Sequence, residues 1–179
     1  KQAKSIVADA AKRLDMPYIT ERWPGGLLTN FSTIRKSIKK MDGIDKMKTD
    51  GTFDTLSKRE RLQIDRTREK LEINLGSIVK MNRMPAAIFI IDINKEHIAL
   101  KESAKLGIRS FAVTDTNTNP SLVNYPIPGN DDASKSILHI VEVVSQAISE
   151  GLSERSDEQD KKALEKQKKA KKIAEEAKK

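Results

Sequence analysis

Three aspartates occupy positions where carboxylates could gather. Asp92 directly follows the apolar run 86–91, Asp115 follows the run 108–114, and Asp131 precedes a helical pattern. Loops at the carboxyl ends of parallel strands form the ligand-binding edge of an open α/β sheet, and carboxylate oxygens suit Mg²⁺. Asp92 and Asp131 also stand just before predicted helices, where aspartate is a common N-cap. Two interpretations therefore stay open. One is a magnesium site that includes Asp115 and Asp131, and the other is a set of ordinary helix caps.

The histidines and glycines give no support for catalysis. His97 lies inside a predicted helix beside Glu96, His139 lies in the last predicted core helix, and neither has a nucleophile partner in a motif. The chain contains no G-x-G-x-x-G, no P-loop, no G-x-S-x-G and no metal-spaced His/Glu pair. We therefore expect no enzyme, no cofactor apart from the possible magnesium, and no small-molecule substrate.

Positive charge is unevenly distributed along the chain. The 179 residues include 34 Lys and Arg against 26 Asp and Glu, a formal net charge of +8. Residues 30–84 hold 14 basic against 8 acidic residues, and residues 151–179 hold 10 against 7. The densest group consists of Arg35, Lys36, Lys39 and Lys40. Such a group is typical of phosphate contact, although a solvated helical face gives the same pattern.

Composition excludes several classes of protein. There is no cysteine, so neither a disulfide framework nor a thiolate metal site can form. No apolar run approaches the ~18 residues that a membrane span needs, and no signal peptide is visible. These features favour a cytoplasmic protein without a membrane partner.

Four segments follow from the pattern of apolar and polar residues. Residues 1–29 read as the first part of an α/β core, with a helix and a short strand at 17–19. Residues 85–150 supply the second part, in which apolar strands alternate with helices, and such alternation predicts a parallel sheet. Residues 151–179 form a Lys/Glu-rich tail, either helical through i,i+4 pairs or disordered.

The segment 30–84 reads as an inserted antiparallel helical hairpin. The first arm carries an apolar stripe, Ser57 and Glu60 form a capping box for the second arm, and the connection contains Gly43 and Gly51. Apolar residues recur every seven positions in the second arm, at Ile64, Leu71 and Ile78. Two arms with such stripes would pack as a short coiled coil.

The stretch 23–30, with the sequence W-P-G-G-L-L-T-N, joins the first core segment to the hairpin. Adjacent glycines allow positive φ and close backbone approach, so Trp23, Gly25 and Gly26 are predicted to fix a hinge. Thr29 or Asn30 can cap the following helix. The alternative is a simple strand-to-helix corner with the tryptophan as a packing plug.

Three blocks of sequence resemble one known family. They are W-x-G-G-x-L-T-N at 23–30, P-A-A-I-F-I-I-D at 85–92, and D-T-N at 115–117 followed by I-P-G-N-D-D-A at 127–133. In this order they resemble the S-two family of bacterial small-subunit ribosomal proteins. The resemblance covers roughly residues 1–150, and the tail carries no family motif.

The resemblance implies a flavodoxin-like α/β core with the inserted hairpin, and a structural role without turnover. Proteins of that family bind small-subunit ribosomal RNA and contact neighbouring ribosomal proteins, including ribosomal protein one, which captures messenger RNA. Of the two alternatives for the strand-end aspartates, the magnesium site would place an ion between Asp115, Asp131 and an RNA phosphate. The residues predicted to contact RNA are Arg22, Trp23, Asn30, Arg35, Lys36, Lys39, Lys40, Asn117 and Asn130.

The resemblance also bears on the extent of the chain, and two competing functional hypotheses stay open beside it. The family has roughly sixty additional residues ahead of this start, including a core strand, so we expect the sequence to be part of a longer protein or a fragment of low stability. The competing functional hypothesis is a coiled-coil adaptor that binds a protein partner and no RNA. A third hypothesis, an enzyme of flavodoxin-like fold, would require a cofactor pocket.

Overall fold

The computed structural model describes the backbone of residues 2–176 and the side chains of residues 2–158. Its helices and strands are α1 (Ala3–Arg13), α2 (Phe31–Thr49), α3 (Lys58–Leu75), β1 (Ala87–Ile91), α4 (His97–Leu106), β2 (Arg109–Thr114), β3 (Tyr125–Pro128) and α5 (Ser134–Glu176). Short 3₁₀ turns lie at Thr52–Thr55, Gly76–Ile78 and Pro120–Leu122. Within the described residues, no helix combines the length and apolar character that a membrane span requires.

The three strands form a parallel sheet in the order β1-β2-β3, which confirms the predicted α/β alternation. Alternate residues of β1 serve opposite faces, as the period of two in a strand requires. Ile90 packs with Leu100 of α4 on one face. Phe89 packs with Ile137 of α5 on the other face, where α1 also contributes Ala10. Helices therefore cover both faces of the described sheet.

The helical hairpin shares one apolar cluster with the core. This base cluster contains buried side chains from the loop, both arms and the sheet region: Leu27, Leu28, Ile38, Leu75, Ile78, Met81 and Ile108. Each buried Leu or Ile contributes roughly 1.5–3 kcal/mol relative to an exposed position. The hairpin is therefore packed against the core at its base.

Above its base, the hairpin is joined by ion pairs between its two arms. Lys48 Nζ lies 2.6 Å from Asp65 Oδ1, and Arg68 Nε lies 2.8 Å from Asp45 Oδ1. The order of these partners shows that α2 and α3 run antiparallel. The capping box at the start of α3 is also present, with Ser57 as N-cap. Supercoiling of the two arms stays a prediction.

Several sequence-based expectations about element boundaries are wrong. Residues 17–19 form no strand, because no described strand lies beside them and the carbonyl of Tyr18 accepts a hydrogen bond from the Ser77 hydroxyl instead. Gly43 lies inside α2 rather than in the connection, and helical geometry tolerates a glycine at a cost of about 1 kcal/mol. Ile78 follows α3 in a 3₁₀ turn, buried in the base cluster.

The last helix also differs from the prediction. α5 begins at Ser134, not at Asp131 or Asp132, since the Asn130 side chain accepts the N–H groups of Asp132 and Ala133 just before the helix. The helix then continues without interruption through Gly151 into the Lys/Glu-rich segment as far as Glu176. The final predicted tail residues, 177–179, lie outside the described part of the chain.

Candidate nucleic-acid interface

The loop 23–30 is held to the core by one buried carboxylate that the sequence analysis did not single out. Glu102 of α4 accepts hydrogen bonds from the backbone N–H groups of Gly26 (2.6 Å), Leu28 (2.9 Å) and Thr29 (3.1 Å). The Thr29 hydroxyl adds a fourth contact at 3.3 Å. Glu102 is only 7% exposed. Glu102 lies with Ala99, Leu100 and Ser103 on the buried side of α4, and no local motif in the sequence marks this glutamate.

Two opposing effects set the pKa of Glu102. Burial raises its pKa, because a charged carboxylate is costly in a low-dielectric environment. The N–H donors of Thr29, Leu28 and Gly26, with the nearby indole N–H of Trp23, lower the pKa by more, so the net shift is downward. The indole nitrogen itself makes no regular hydrogen bond to a described residue. The carboxylate therefore stays ionised inside the loop.

The predicted hinge residues have different roles. Trp23 packs against both the base cluster and the cluster between the sheet and α4, so it joins the hairpin region to the core. Gly26 has a φ of +84°, and a Cβ there would meet the Cβ of Asn30 at 3.3 Å. Gly25 has neither a positive φ nor an atom within 4 Å of such a Cβ. Only Gly26 is required by the backbone of this loop.

The predicted basic group lies on α2, and three of its members face solvent. Lys36, Lys39 and Lys40 are exposed, on the side of the helix opposite the buried Ile38 and Met41. No described residue forms an ion pair with any of the three. These ammonium groups form what we call the basic face of α2, which is free to meet phosphate.

Arg35 is placed differently from the lysines. Its side chain is half-buried, and Nη1 donates to the carbonyl oxygens of Val79 and Met81 at 3.5 and 3.2 Å. The guanidinium therefore satisfies carbonyls beyond the end of α3 and ties α2 to that segment. The remaining donors of the guanidinium are available for another acceptor.

The other predicted contacts lie near the core. Arg22 is exposed and, with Trp23, lines an open cavity of about 210 Å³ whose other lining residues are Lys95 to Ile98. Asn30 stands at the N-cap position of α2, but its side-chain oxygen accepts from the Thr33 hydroxyl (2.8 Å) and not from a backbone N–H. Asn30 therefore organises the first turn of α2.

Residues that follow the strands lie close to one another. The Asp131 N–H lies 3.4 Å from Asp115 Oδ2, and Asn117 lies in the loop that follows β2, where its carbonyl accepts from Asn94. The Asn130 side-chain oxygen accepts the N–H groups of Asp132 and Ala133, just ahead of α5. This edge of the sheet gathers the ends of all three described strands.

The carboxylates at this edge differ in their environments. Asp92 is paired with Lys95 (2.5 Å) and caps the following turn through the Lys95 N–H. Asp131 is 8% exposed, and its Oδ2 has no hydrogen-bond partner among the described residues. Burial, followed by the charges of Asp92, Asp132 and Asp115, raises the pKa of Asp131. Among the described residues, no three acidic or histidine side chains are arranged to hold a metal ion.

Comparison with known proteins decides the family. A family model described as ribosomal protein S2 matches residues 1–151. The chain belongs to the ribosomal protein S2 family. This membership confirms the resemblance seen in the three sequence blocks, and with it the prediction of a ribosomal protein rather than an enzyme. The predicted location in the cytoplasmic ribosome agrees with it.

Individual members of the S2 family are closely similar to this chain. A protein named small ribosomal subunit protein uS2 from Flavobacterium johnsoniae is 64% identical over 165 residues, which cover 92% of this chain and 65% of that protein. The protein of the same name from Christiangramia forsetii is 63% identical over 158 residues, 88% of this chain and 53% of that protein. The chain thus spans about half to two thirds of the length of these curated relatives.

Proposed function

We propose that this S2-family chain is a structural constituent of the small ribosomal subunit that binds its ribosomal RNA by phosphate contact and thereby serves translation. The relatives named above are small-subunit proteins. The observation that carries the RNA-binding part is the basic face of α2, whose lysines have no carboxylate partner among the described residues. Elsewhere on the hairpin, Lys48, Arg61 and Arg68 are each paired with an acidic residue.

The mechanism is charge neutralisation and shape matching, with no turnover. Lysines that contact phosphates displace condensed counterions, which gives affinity without reading sequence. Arg22 beside the loop, Trp23 and Asn30 within the loop, and the strand-end residues Asn117 and Asn130 would add contacts to sugar, phosphate or an unpaired base. Arg35 contributes with the donors that its two carbonyl partners leave free.

Neighbouring proteins and a metal ion complete the proposal. The protein would contact other small-subunit proteins and help to hold ribosomal protein one. A magnesium ion bridging Asp115, Asp131 and an RNA phosphate is the form a cation site would take here, since the buried Asp131 oxygen has no described protein partner.

Charge reversal tests the role of the basic face directly. A Lys36→Glu/Lys39→Glu/Lys40→Glu variant should bind small-subunit ribosomal RNA at least about tenfold more weakly at moderate salt, because three phosphate contacts are lost. The matched control reverses Lys101, Lys105 and Lys135, which are exposed core lysines, so the net charge changes equally. An equal loss of RNA affinity in both variants would show that only the overall charge matters. No loss of affinity in either variant would show that the basic face does not contact RNA.

A protein-adaptor function is supported by one observation. Leu62 and Ile73 are 52% and 59% exposed on α3, and eleven helical positions apart they lie on one face. In the adaptor hypothesis this face binds a protein partner and the chain contacts no RNA, so Leu62→Ser/Ile73→Ser should abolish partner binding and the parent should bind small-subunit ribosomal RNA only weakly. Tight, salt-dependent RNA binding by the parent would contradict the adaptor hypothesis.

A further inference from the structure

Glu102 belongs to the α/β core, yet its hydrogen-bond donors lie in the loop that begins the hairpin. Gly26, Leu28 and Thr29 are 73 to 76 positions away in the chain. No described lysine or arginine forms an ion pair with this carboxylate. The charge of Glu102 is therefore stabilised by backbone N–H groups that point at its carboxylate. Such charge-assisted hydrogen bonds are strong only while the donors keep their distance and direction relative to the carboxylate.

Backbone hydrogen bonds connect the loop to the first turn of α2. The Leu27 N–H donates to the Pro24 carbonyl, and the Asn30 N–H donates to the Gly26 carbonyl at 2.8 Å. The Asn30 carbonyl then accepts the first N–H groups of α2, from Thr33 and Ile34. A loop that is held at 26–29 thus holds the first turn of the hairpin as well.

Apolar packing alone does not set the direction in which the hairpin leaves the core. The base cluster joins Leu28 and Ile38 to Ile108, but burial of apolar surface is non-directional. Hydrogen bonds to a fixed carboxylate depend strongly on angle. We infer that Glu102 is the positioning residue that fixes the orientation of the helical hairpin relative to the α/β core.

Distance measurements between spin labels test this inference without any RNA. The chain contains no cysteine, so two introduced cysteines are labelled uniquely. The pair Asp50→Cys/Glu142→Cys spans the hairpin tip and α5. The control pair Ser121→Cys/Glu142→Cys lies within the core. All three positions are exposed.

With Glu102 present, both pairs should give a single narrow distance. Glu102→Gln should broaden or shift the hairpin-to-core distance and leave the control distance unchanged, because the amide replaces one acceptor oxygen by a donor facing N–H groups. Acidification should move the protein with Glu102 toward the Glu102→Gln distribution, while the variant itself shows no such change. A general loosening of the fold would change both label pairs with pH, and not the hairpin-to-core pair alone.

Two results would overturn the inference. One is an unchanged hairpin-to-core distance in Glu102→Gln, and the other is equal broadening in both label pairs, which would mean general loosening. If Glu102→Gln does not fold, Glu102→Asp retracts the same carboxylate by one methylene group and must show the selective broadening instead. The outcome is independent of RNA binding, so it does not depend on the proposed function.

Discussion

At the level of single side chains, Glu102 shows how burial and hydrogen bonding compete. Burial raises the pKa of Glu102, but the hydrogen-bond donors lower it by more, so the net shift is downward. A group whose pKa is lower in the folded than in the unfolded state stabilises the fold above the unfolded value, near 4.3 for glutamate. That stabilisation is lost as the pH falls through the folded pKa.

Acid unfolding tests this assignment. Glu102→Gln should lower the free energy of unfolding at pH 7 by about 1–3 kcal/mol, since a buried set of N–H donors loses its charged acceptor. The variant should also lose less stability than the parent between pH 5 and the folded pKa. Urea unfolding at a series of pH values measures both effects. Parallel pH profiles would show that the ionised form is not what the fold requires.

Asp131 has the opposite shift. Burial and neighbouring carboxylates raise its pKa, so the ionised form opposes folding above the folded pKa, and this penalty disappears below the unfolded value. Without Mg²⁺, Asp131→Asn should leave stability unchanged or raise it by less than about 1 kcal/mol. In complex with small-subunit ribosomal RNA, the parent should gain more in Tm from Mg²⁺ than the Asp131→Asn variant, because only the parent supplies the bridging carboxylate. Equal Mg²⁺-dependent gains in the two complexes would contradict the magnesium proposal.

The glycine pair allows a matched test within the same loop. Gly26→Ala should destabilise the protein by roughly 1–2 kcal/mol, because an L residue is strained at a φ of +84°. Gly25→Ala should be neutral within about 0.5 kcal/mol, since its Cβ would enter open space. Thermal unfolding of the two variants side by side measures the difference. A larger loss at Gly25 would contradict the loop geometry.

At the scale of elements, the sequence predicts most of what local pattern controls. Apolar runs located β1 and β2 within one residue, and the Ser57–Glu60 spacing located the start of α3. The prediction of a strand at 17–19 was wrong because a strand needs a neighbouring strand to pair with, and the local sequence pattern does not show whether one is present. Gly43 was misread because tertiary packing of α2 overrides a weak helix propensity.

The candidate site was predictable only where residue type and exposure agree. Lys36 and Lys40 follow helical spacing and face solvent, whereas Arg35 turned toward the carbonyls of Val79 and Met81. The contacts of Glu102 could not be predicted from the sequence, because they join positions more than 70 residues apart. Long-range polar contacts of this kind carry no local signature in a single sequence.

At the scale of the whole molecule, the structure separates a core without a charge excess from a basic hairpin. Residues 30–84 carry 14 of the 34 basic residues and only 8 of the 26 acidic ones. If Glu102 holds the hairpin at a fixed angle, as inferred above, the basic face of α2 keeps one orientation relative to the core before any RNA is bound. Fixed geometry of this kind lowers the ordering cost of binding.

The most direct measurement is the salt dependence of binding between this chain and small-subunit ribosomal RNA, with the Lys36/Lys39/Lys40 reversal beside it. Phosphate contact by the basic face should give a steep linear fall of log affinity with log salt, and a slope that becomes shallower by about 0.7–0.9 for each phosphate contact removed. A weak affinity with a flat salt dependence in the parent, or an identical slope in the variant, would contradict phosphate contact by the basic face.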